Sequence, residues 1–477
     1  MSRIIIQNGN MCELDLPLKF AQKLYAEFAI RHPNAFYLRT RQRGMQNWDG
    51  KIHYINKHGE FKIGLLPAVY EKCTEYGIKP KVVDMRQPLP KVSKVVTKIG
   101  EYKLRPEQEK AVKAVINNKV GKVPFQIGVL DYTVNAGKTL IMSSLYLSYK
   151  KQLKTLLITN DSDWLNQARD EFKKYLPGEQ ITFVQGKVLN WSNFTIGMVQ
   201  SISRNMRFYQ NELAKVDMVL VDEADQAGSK QYQNVLTRLF NTRVRIGLSG
   251  TIYMSKLAKD KVKNMNLEVF FGKVLAEFKL KDSIKKGYST RTIVKMVPSK
   301  PWYGNWESEE VSYKEVYDDS ITFNKYARKM VYARLKWNIK QGRYPALVVC
   351  KFIAHCEKLC KYFKKKLGSK YNIACVHVDT PSKIRQQIMK DFREGKIDIL
   401  VSTTIIARGK NFPKLRYLLN AASMDSQEKS IQFLGRLVRT DSSKKKVYLD
   451  DLHYPGPYLN RHGKHRKQYY QKQELKV

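Results

Sequence analysis

The chain is short of acid. Its 477 residues carry 43 Asp and Glu against 86 Lys and Arg, a formal net charge of +43. An imbalance of this sign points to a polyanionic partner, for which nucleic acid is the usual answer. Long apolar runs are missing too. No stretch approaches the ~18 apolar residues that a spanning helix needs. The opening segment, MSRIIIQNGNMCELDLPLKF, has too short an apolar run for a signal peptide. A soluble, cytoplasmic protein is therefore expected. Cysteine is sparse. Cys12, Cys73, Cys350, Cys356, Cys360 and Cys375 form no CxxC pair. Cys356 and Cys360 could share a helix face, yet no His or Cys pair at zinc spacing completes a site. They read as packing residues of a protein kept in a reducing compartment, and no structural metal is expected.

What is present suffices for several cores. Apolar residues make up 43% and aromatics 11%, and a chain of this length calls for two to four domains. From about residue 100, short apolar runs alternate with amphipathic stretches. Strands are predicted at Phe125–Leu130, Thr155–Thr159, Thr195–Val199, Met218–Val221 and Arg245–Leu248. A second series is predicted at Ala346–Cys350, Ile373–Val378, Asp398–Ser402, Tyr417–Ala421 and Lys446–Leu449. The runs are continuous rather than alternating, as parallel strands buried on both faces require. Helical patterns between them argue βαβ units and two sheets in series. Residues 1–95 differ, with short segments, aromatics at Phe36, Tyr37, Trp48 and Tyr54, and a Pro- and Lys-rich stretch from Gln87 to Lys94. The expected division is 1–95, an accessory domain; 96–285 and 286–452, the two sheet domains; and 453–477, a basic tail.

Asp131-Tyr-Thr-Val-Asn-Ala-Gly-Lys-Thr-Leu140 follows an apolar strand and opens an apolar helix. That is the context of a phosphate-binding loop, in which backbone N–H groups of Asn135, Ala136 and Gly137 would wrap a phosphate. Lys138 would reach the β- and γ-phosphates and Thr139 would offer a hydroxyl to Mg²⁺. Tyr132 and Asn135 stand where glycine is common, and Asn tolerates left-handed backbone angles. Met218-Val-Leu-Val-Asp-Glu-Ala-Asp225 places carboxylates just past the end of a buried strand, the ligand-binding edge of such sheets. Asp222 there can hold Mg²⁺, and Glu223 can polarise a water as general base. Gln432-Phe-Leu-Gly-Arg-Leu-Val-Arg439 predicts a helix with Gln432, Arg436 and Arg439 on one face. Guanidiniums so presented suit a γ-phosphate whose charge grows in the transition state, although a helix facing solvent or DNA would look the same.

In order along the chain, these segments resemble the motifs of superfamily 2 helicases. Leu104-Arg-Pro-Glu-Gln-Glu is similar to the adenine-recognition motif, with Arg105 and Gln108 its implied contacts. Asn135 to Thr139 is similar to motif I and Asp222 to Asp225 to motif II. Ser249-Gly-Thr251 is similar to motif III, which couples hydrolysis to domain movement. Leu347 to Phe352 resembles motif IV, Ser402 to Gly409 motif V, and Gln432 to Arg439 motif VI. The resemblance spans about residues 100 to 450. It implies two tandem RecA-like parallel-sheet α/β domains behind a small α+β domain, with ATP and Mg²⁺ taken between the sheets. Gly409 would add a contact to the nucleotide. The strand of nucleic acid would lie along Gln200, Ser201, Phe352, Thr403 and Thr404, with Arg204, Arg207 and Lys410 as further candidates.

A narrower resemblance is carried by Asn47-Trp-Asp-Gly-Lys-Ile, Gly64-Leu-Leu-Pro and the tail from Asn460 to Tyr470, which look like UvsW-type phage recombination helicases. These remodel forks, junctions and R-loops, so the implied partner is branched or single-stranded DNA, bound by a monomer in a host cytoplasm. Arg39, Arg41, Arg43 and Trp48 are candidates for duplex binding, although Trp48 and Gly64–Pro67 fit a core equally. The tail reads either as a phosphate-binding arm or as a bracing helix. Two alternatives stay open. The literal Asp-Glu-Ala-Asp spelling resembles RNA helicases, and the irregular phosphate loop would suit a nucleic-acid clamp with little ATPase activity.

Overall fold

The N-terminal residues reach their fold through short strands that bury Ile4, Ile6, Cys12 and Leu14 on one side. In the computed structural model, which describes residues 2–41, 44–188, 191–250, 252, 258–299, 311–407, 412–425, 427–441, 444–475 and 477, β1 (Arg3–Ile6), β2 (Met11–Asp15), β3 (Glu60–Lys62) and β4 (Lys81–Asp84) form one sheet in the order β3-β2-β1-β4. Helix α1 (Leu66–Glu75) buries Leu66, Val69 and Cys73. Gly64 to Pro67 is therefore core.

The described residues gather into two compact units. One is Met1–Tyr132 with Ala136–Phe278, the other Thr133–Asn135 with Lys279–Val477. In the first unit α2 (Pro106–Ile116) precedes β5 (Ile127–Tyr132), and α3 (Lys138–Ser148) leads to β6 (Thr155–Thr159). Then come β7 (Ile181–Val184), β8 (Phe194–Met198), α4 (Val199–Arg204), β9 (Met218–Asp222), β10 (Val244–Ser249) and β11 (Val274–Phe278). All seven strands are parallel, in the order β7-β8-β6-β9-β10-β5-β11. The N-terminal sheet is not a loose appendage to this one, since Ile4, Phe61, Ile127, Val219 and Phe271 belong to one apolar core. Arg245, fully buried on β10, donates to Gly9 O at 2.8 Å and Asn10 Oδ1 at 2.7 Å. A Cβ at Gly64 would fall 2.2 Å from Glu268 O, so only glycine allows that approach.

The second unit holds β12 (Arg291–Pro298), α5 (Lys325–Lys340), β13 (Ala346–Cys350), α6 (Ile353–Leu367), β14 (Ile373–Val376), β15 (Ile399–Thr403), β16 (Tyr417–Asn420), α7 (Gln427–Leu437), β17 (Lys446–His453) and α8 (Leu459–Lys472). Its six strands are parallel in the order β12-β17-β16-β13-β15-β14. These are two tandem RecA-like sheets, as the sequence predicts. All ten predicted strands are present, their ends shifted by up to two residues, or by four at the end of β17.

Of the two readings of the basic tail, arm or helix, the structure shows a packed helix. Arg466 of α8 is wholly buried, and its Nε donates to both oxygens of Asp451 at 2.9 and 3.1 Å. Its remaining donors meet Met424 O at 2.7 Å and Leu452 O at 2.9 Å. Tyr470 and Asn420 complete the shell of Asp451 at 2.7 and 2.9 Å. A buried charge with every polar atom met is tolerable; one stripped of its partner is not. No helix among the described residues is long and apolar enough to cross a membrane.

Candidate active site

The loop between β5 and α3 is shaped by residues that accept left-handed backbone. Asn135 has φ 63° and Gly137 φ 71°. Tyr132 does not bend with them. It ends β5 fully buried, donates its O–H to Glu107 O at 2.7 Å, and lies 6.0 Å from the ring of Phe278. The residue standing where glycine is common is thus a core anchor, and the turn begins after it. Gln108 braces the loop, its Nε2 donating to Ala136 O at 2.8 Å while its Oε1 accepts from Arg105 N at 2.8 Å. Both ends of the amide are engaged, so reading a base would require it to swing away. The Arg105 guanidinium faces the Glu107 carboxylate at 3.3 Å. A side chain at Gly137 would meet Gln108 Nε2 at 2.3 Å, which explains glycine there.

Lys138 and Thr139 are the first two residues of α3, at the positive end of its dipole and beside free N–H groups. The Lys138 ammonium stands 3.7 Å from Asp222 Oδ1, an ion pair too long for a hydrogen bond. Asp222 ends β9 almost wholly buried, and Oδ1 has no hydrogen-bond partner among the described residues. Burial raises its carboxyl above the ordinary range, and Lys138 pulls the other way. Glu223 follows with φ 52°, a left-handed geometry that costs a non-glycine residue about 1–2 kcal/mol. Burial, then Asp222 and Asp225, push the Glu223 carboxyl up to about 7. Asp225 accepts from Ser249 Oγ at 2.7 Å, joining the ends of β9 and β10. Thr251 lies outside the described residues.

This cluster has chemical consequences. Helix-end N–H groups and a lysine can hold phosphate, and a carboxyl that titrates near neutrality can take a proton from water. Among the described residues no group of three or more His, Cys, Asp or Glu is placed to hold a metal alone. Asp222 Oδ1, without a hydrogen-bond partner among the described residues, would instead serve a divalent cation as one oxygen ligand among several.

Elsewhere the predicted residues are placed as follows. Gln200 and Ser201 lie on α4, immediately after β8. Phe352 caps α6 and meets Tyr317 edge-on at 4.9 Å. Thr403 ends β15 nearly buried, and Thr404 starts the following 3₁₀ turn. Gly409 and Lys410 lie outside the described residues, as does Arg43. Arg204 and Arg207 are exposed, as are Arg39 and Arg41. Trp48 is partly buried and donates to Lys51 O at 2.9 Å. Gln432 and Arg436 lie on α7, but that helix ends at Leu437. Arg439 is therefore corrected from the helix face to the segment beyond it, where its carbonyl accepts from Thr290 Oγ1 at 3.2 Å. Sequence reasoning missed Gln226, which bonds Glu223, and Asn160, which bonds Gln226; no motif singles them out.

Residues 101–254 match the family model described as type III restriction enzyme, res subunit, and residues 328–441 match the helicase conserved C-terminal domain. Together the two matches take in more than half of the chain. The chain is a superfamily 2 helicase. Among curated relatives of this helicase, the provisionally named helicase 22 of Sulfolobus islandicus filamentous virus is 22% identical over 382 residues, covering 75% of this chain and 65% of that protein. The ATP-dependent RNA helicase DDX1 of Xenopus laevis is 19% identical over 289 residues, 55% of this chain and 38% of its own. The helicase thus spans less than two thirds of the length of these relatives. Among solved structures, the type ISP restriction-modification enzyme LlaBIII bound to DNA aligns at TM-score 0.57 and 12% identity, over 84% of this chain and 32% of its own. Dbp5 of S. cerevisiae bound to RNA and ADP BeF3 aligns at 0.51 and 15%, over 77% and 88%. Both show the RecA-like fold. T4 UvsW aligns over 99% of this chain and 98% of its own at 18% identity, with a TM-score of 0.46 too low to bear on function.

Proposed function

We propose that this helicase is an Mg²⁺- and ATP-dependent motor that unwinds or branch-migrates forked, junction or R-loop DNA, in phage recombination, replication or repair. The observation that carries the motor reading is the cluster of Lys138, Asp222 and Glu223 at the ends of α3 and β9. Lys138 and the N–H groups from Asn135 to Thr139 hold the triphosphate. Asp222 and Thr139 share its Mg²⁺, and Glu223 takes the proton of the attacking water. Gln432, Arg436 and Arg439 are the residues this reading assigns to the charge that develops on the γ-phosphate. Ser249, through Asp225, couples hydrolysis to movement. Gln200, Ser201, Phe352, Thr403 and Thr404 track the phosphate backbone without reading bases.

DNA is favoured by the match of residues 101–254 to a restriction-enzyme subunit; the +43 charge suits either nucleic acid. The RNA reading draws on the Asp222-Glu-Ala-Asp225 spelling and the RNA-helicase relatives. ATP hydrolysis measured with single-stranded DNA, forked DNA and RNA separates them. DNA, forked above all, is expected to stimulate; stimulation by RNA alone would overturn the DNA assignment.

A further inference from the structure

A line of side-chain amides leads away from Glu223. Gln226, in the 3₁₀ turn after β9, donates from Nε2 to Glu223 Oε2 at 3.4 Å. Its Oε1 accepts from Asn160 Nδ2. Asn160 directly follows β6, and its carbonyl accepts from Gln200 Nε2 at 3.2 Å. Gln200 sits at the start of α4 beyond β8. Strands β8, β6 and β9 are adjacent in the sheet, so the line crosses three neighbouring strand ends with every amide donor directed toward Glu223. Asn160 Oδ1 and Gln200 Oε1 are buried with no hydrogen-bond partner among the described residues. Buried amides normally use both ends. Each of these two keeps an acceptor spare, which leaves a second hydrogen-bonded arrangement open to the line.

Resting on the ATPase reading proposed above, we infer that Asn160 and Gln226 are positioning residues that restrain the Glu223 carboxylate until α4 engages nucleic acid. A backbone phosphate is an acceptor and competes with the Asn160 carbonyl for the Gln200 N–H. Once Gln200 turns outward, Gln226 swings its Nε2 from Glu223 to the spare Asn160 Oδ1, closing a reciprocal amide pair with the bond its own Oε1 already accepts from Asn160 Nδ2. Glu223 then loses the bond that ties it to Gln226 and is free to meet the attacking water. The switch consists of hydrogen bonds exchanging partners and requires no chemistry beyond hydrolysis itself.

The test is steady-state ATP hydrolysis by the full chain and by Asn160→Ala and Gln226→Ala, with and without single-stranded oligodeoxythymidine. Each variant should raise turnover without DNA and lower the stimulation ratio by about fivefold, the factor one neutral hydrogen bond is worth. KM for ATP and the melting temperature should match wild type. The double variant should go no further than either single one, because the residues act in series. Stimulation ratios equal to wild type in both variants would overturn the inference, as would a ratio that falls only together with the melting temperature. Wild-type protein without any turnover would overturn the ATPase reading itself, and the restraint with it.

Discussion

The end of strand β9 in the first unit and strand β17 in the second each present two consecutive acids, and the two pairs are furnished in opposite ways. On β17, Asp450 takes two bonds from Arg334 at 2.9 and 2.6 Å, with Asn338 at 3.1 Å and Tyr417 at 2.9 Å. Its neighbour Asp451 points to the other face and is met by Arg466, Tyr470 and Asn420. At the end of β9, Asp222 has a distant lysine and a bond from the backbone of Glu223, and Glu223, just past the strand, stands in a strained backbone with one 3.4 Å bond to its carboxylate among the described residues. Saturated acids hold helices onto a sheet. Acids left short of partners keep lone pairs for a ligand and cost the fold stability until it arrives. The difference sets a saturated pair apart from an under-bonded one without reference to any motif, and the proposed chemistry falls on the second.

Substitutions should divide along the same line, beginning with the largest effect. Lys138→Ala should abolish ATP turnover while leaving the melting temperature within the scatter of wild type. Arg436→Ala should lower kcat by about 10³-fold with ATP binding little changed, the scale of a lost arginine finger; equal loss of nucleotide affinity in a binding titration would place Arg436 elsewhere. Arg466→Ala strands a buried carboxylate, so denaturant unfolding should report about 3–5 kcal/mol of lost stability. Its residual ATPase below the transition should keep the wild-type KM. Ser249→Ala removes one bond to Asp225 and should cost about 1 kcal/mol of stability in denaturant unfolding, and the ATP consumed per base pair opened should rise.

A smaller effect concerns pH. The Glu223 carboxyl is raised from 4.5 to about 7 in the fold. Metal-free folded protein therefore binds that proton more tightly than the unfolded chain does. Stability should fall as pH rises through the window from about 4.5 to about 7. Glu223→Gln should flatten that slope in chelator-treated protein.

Much of this was legible in sequence, for a physical reason. Strands buried on both faces must be apolar throughout, and such runs announced ten of the thirteen strands of the two large sheets. The three that escaped, Ile181–Val184, Val274–Phe278 and Arg291–Pro298, are all at sheet edges. An edge needs less cover, and Arg291–Pro298 alternates exposed and buried positions instead of running apolar. The Lys138, Asp222 and Glu223 cluster could be read because phosphate chemistry fixes residue types at fixed spacing. The Asn160–Gln226 line could not, because its members meet only through strand order. Tyr132 looked like a defect in a phosphate loop, and only burial shows that it belongs to the strand before it.

The central claim is that Glu223 performs hydrolysis from the under-bonded end of β9. It is met most directly by comparing ATP turnover of wild type and Glu223→Gln, with single-stranded DNA present. A loss of about 10²–10⁴-fold in kcat, with the folded state intact, is the predicted result. Wild-type kcat in the purified, folded variant would contradict it.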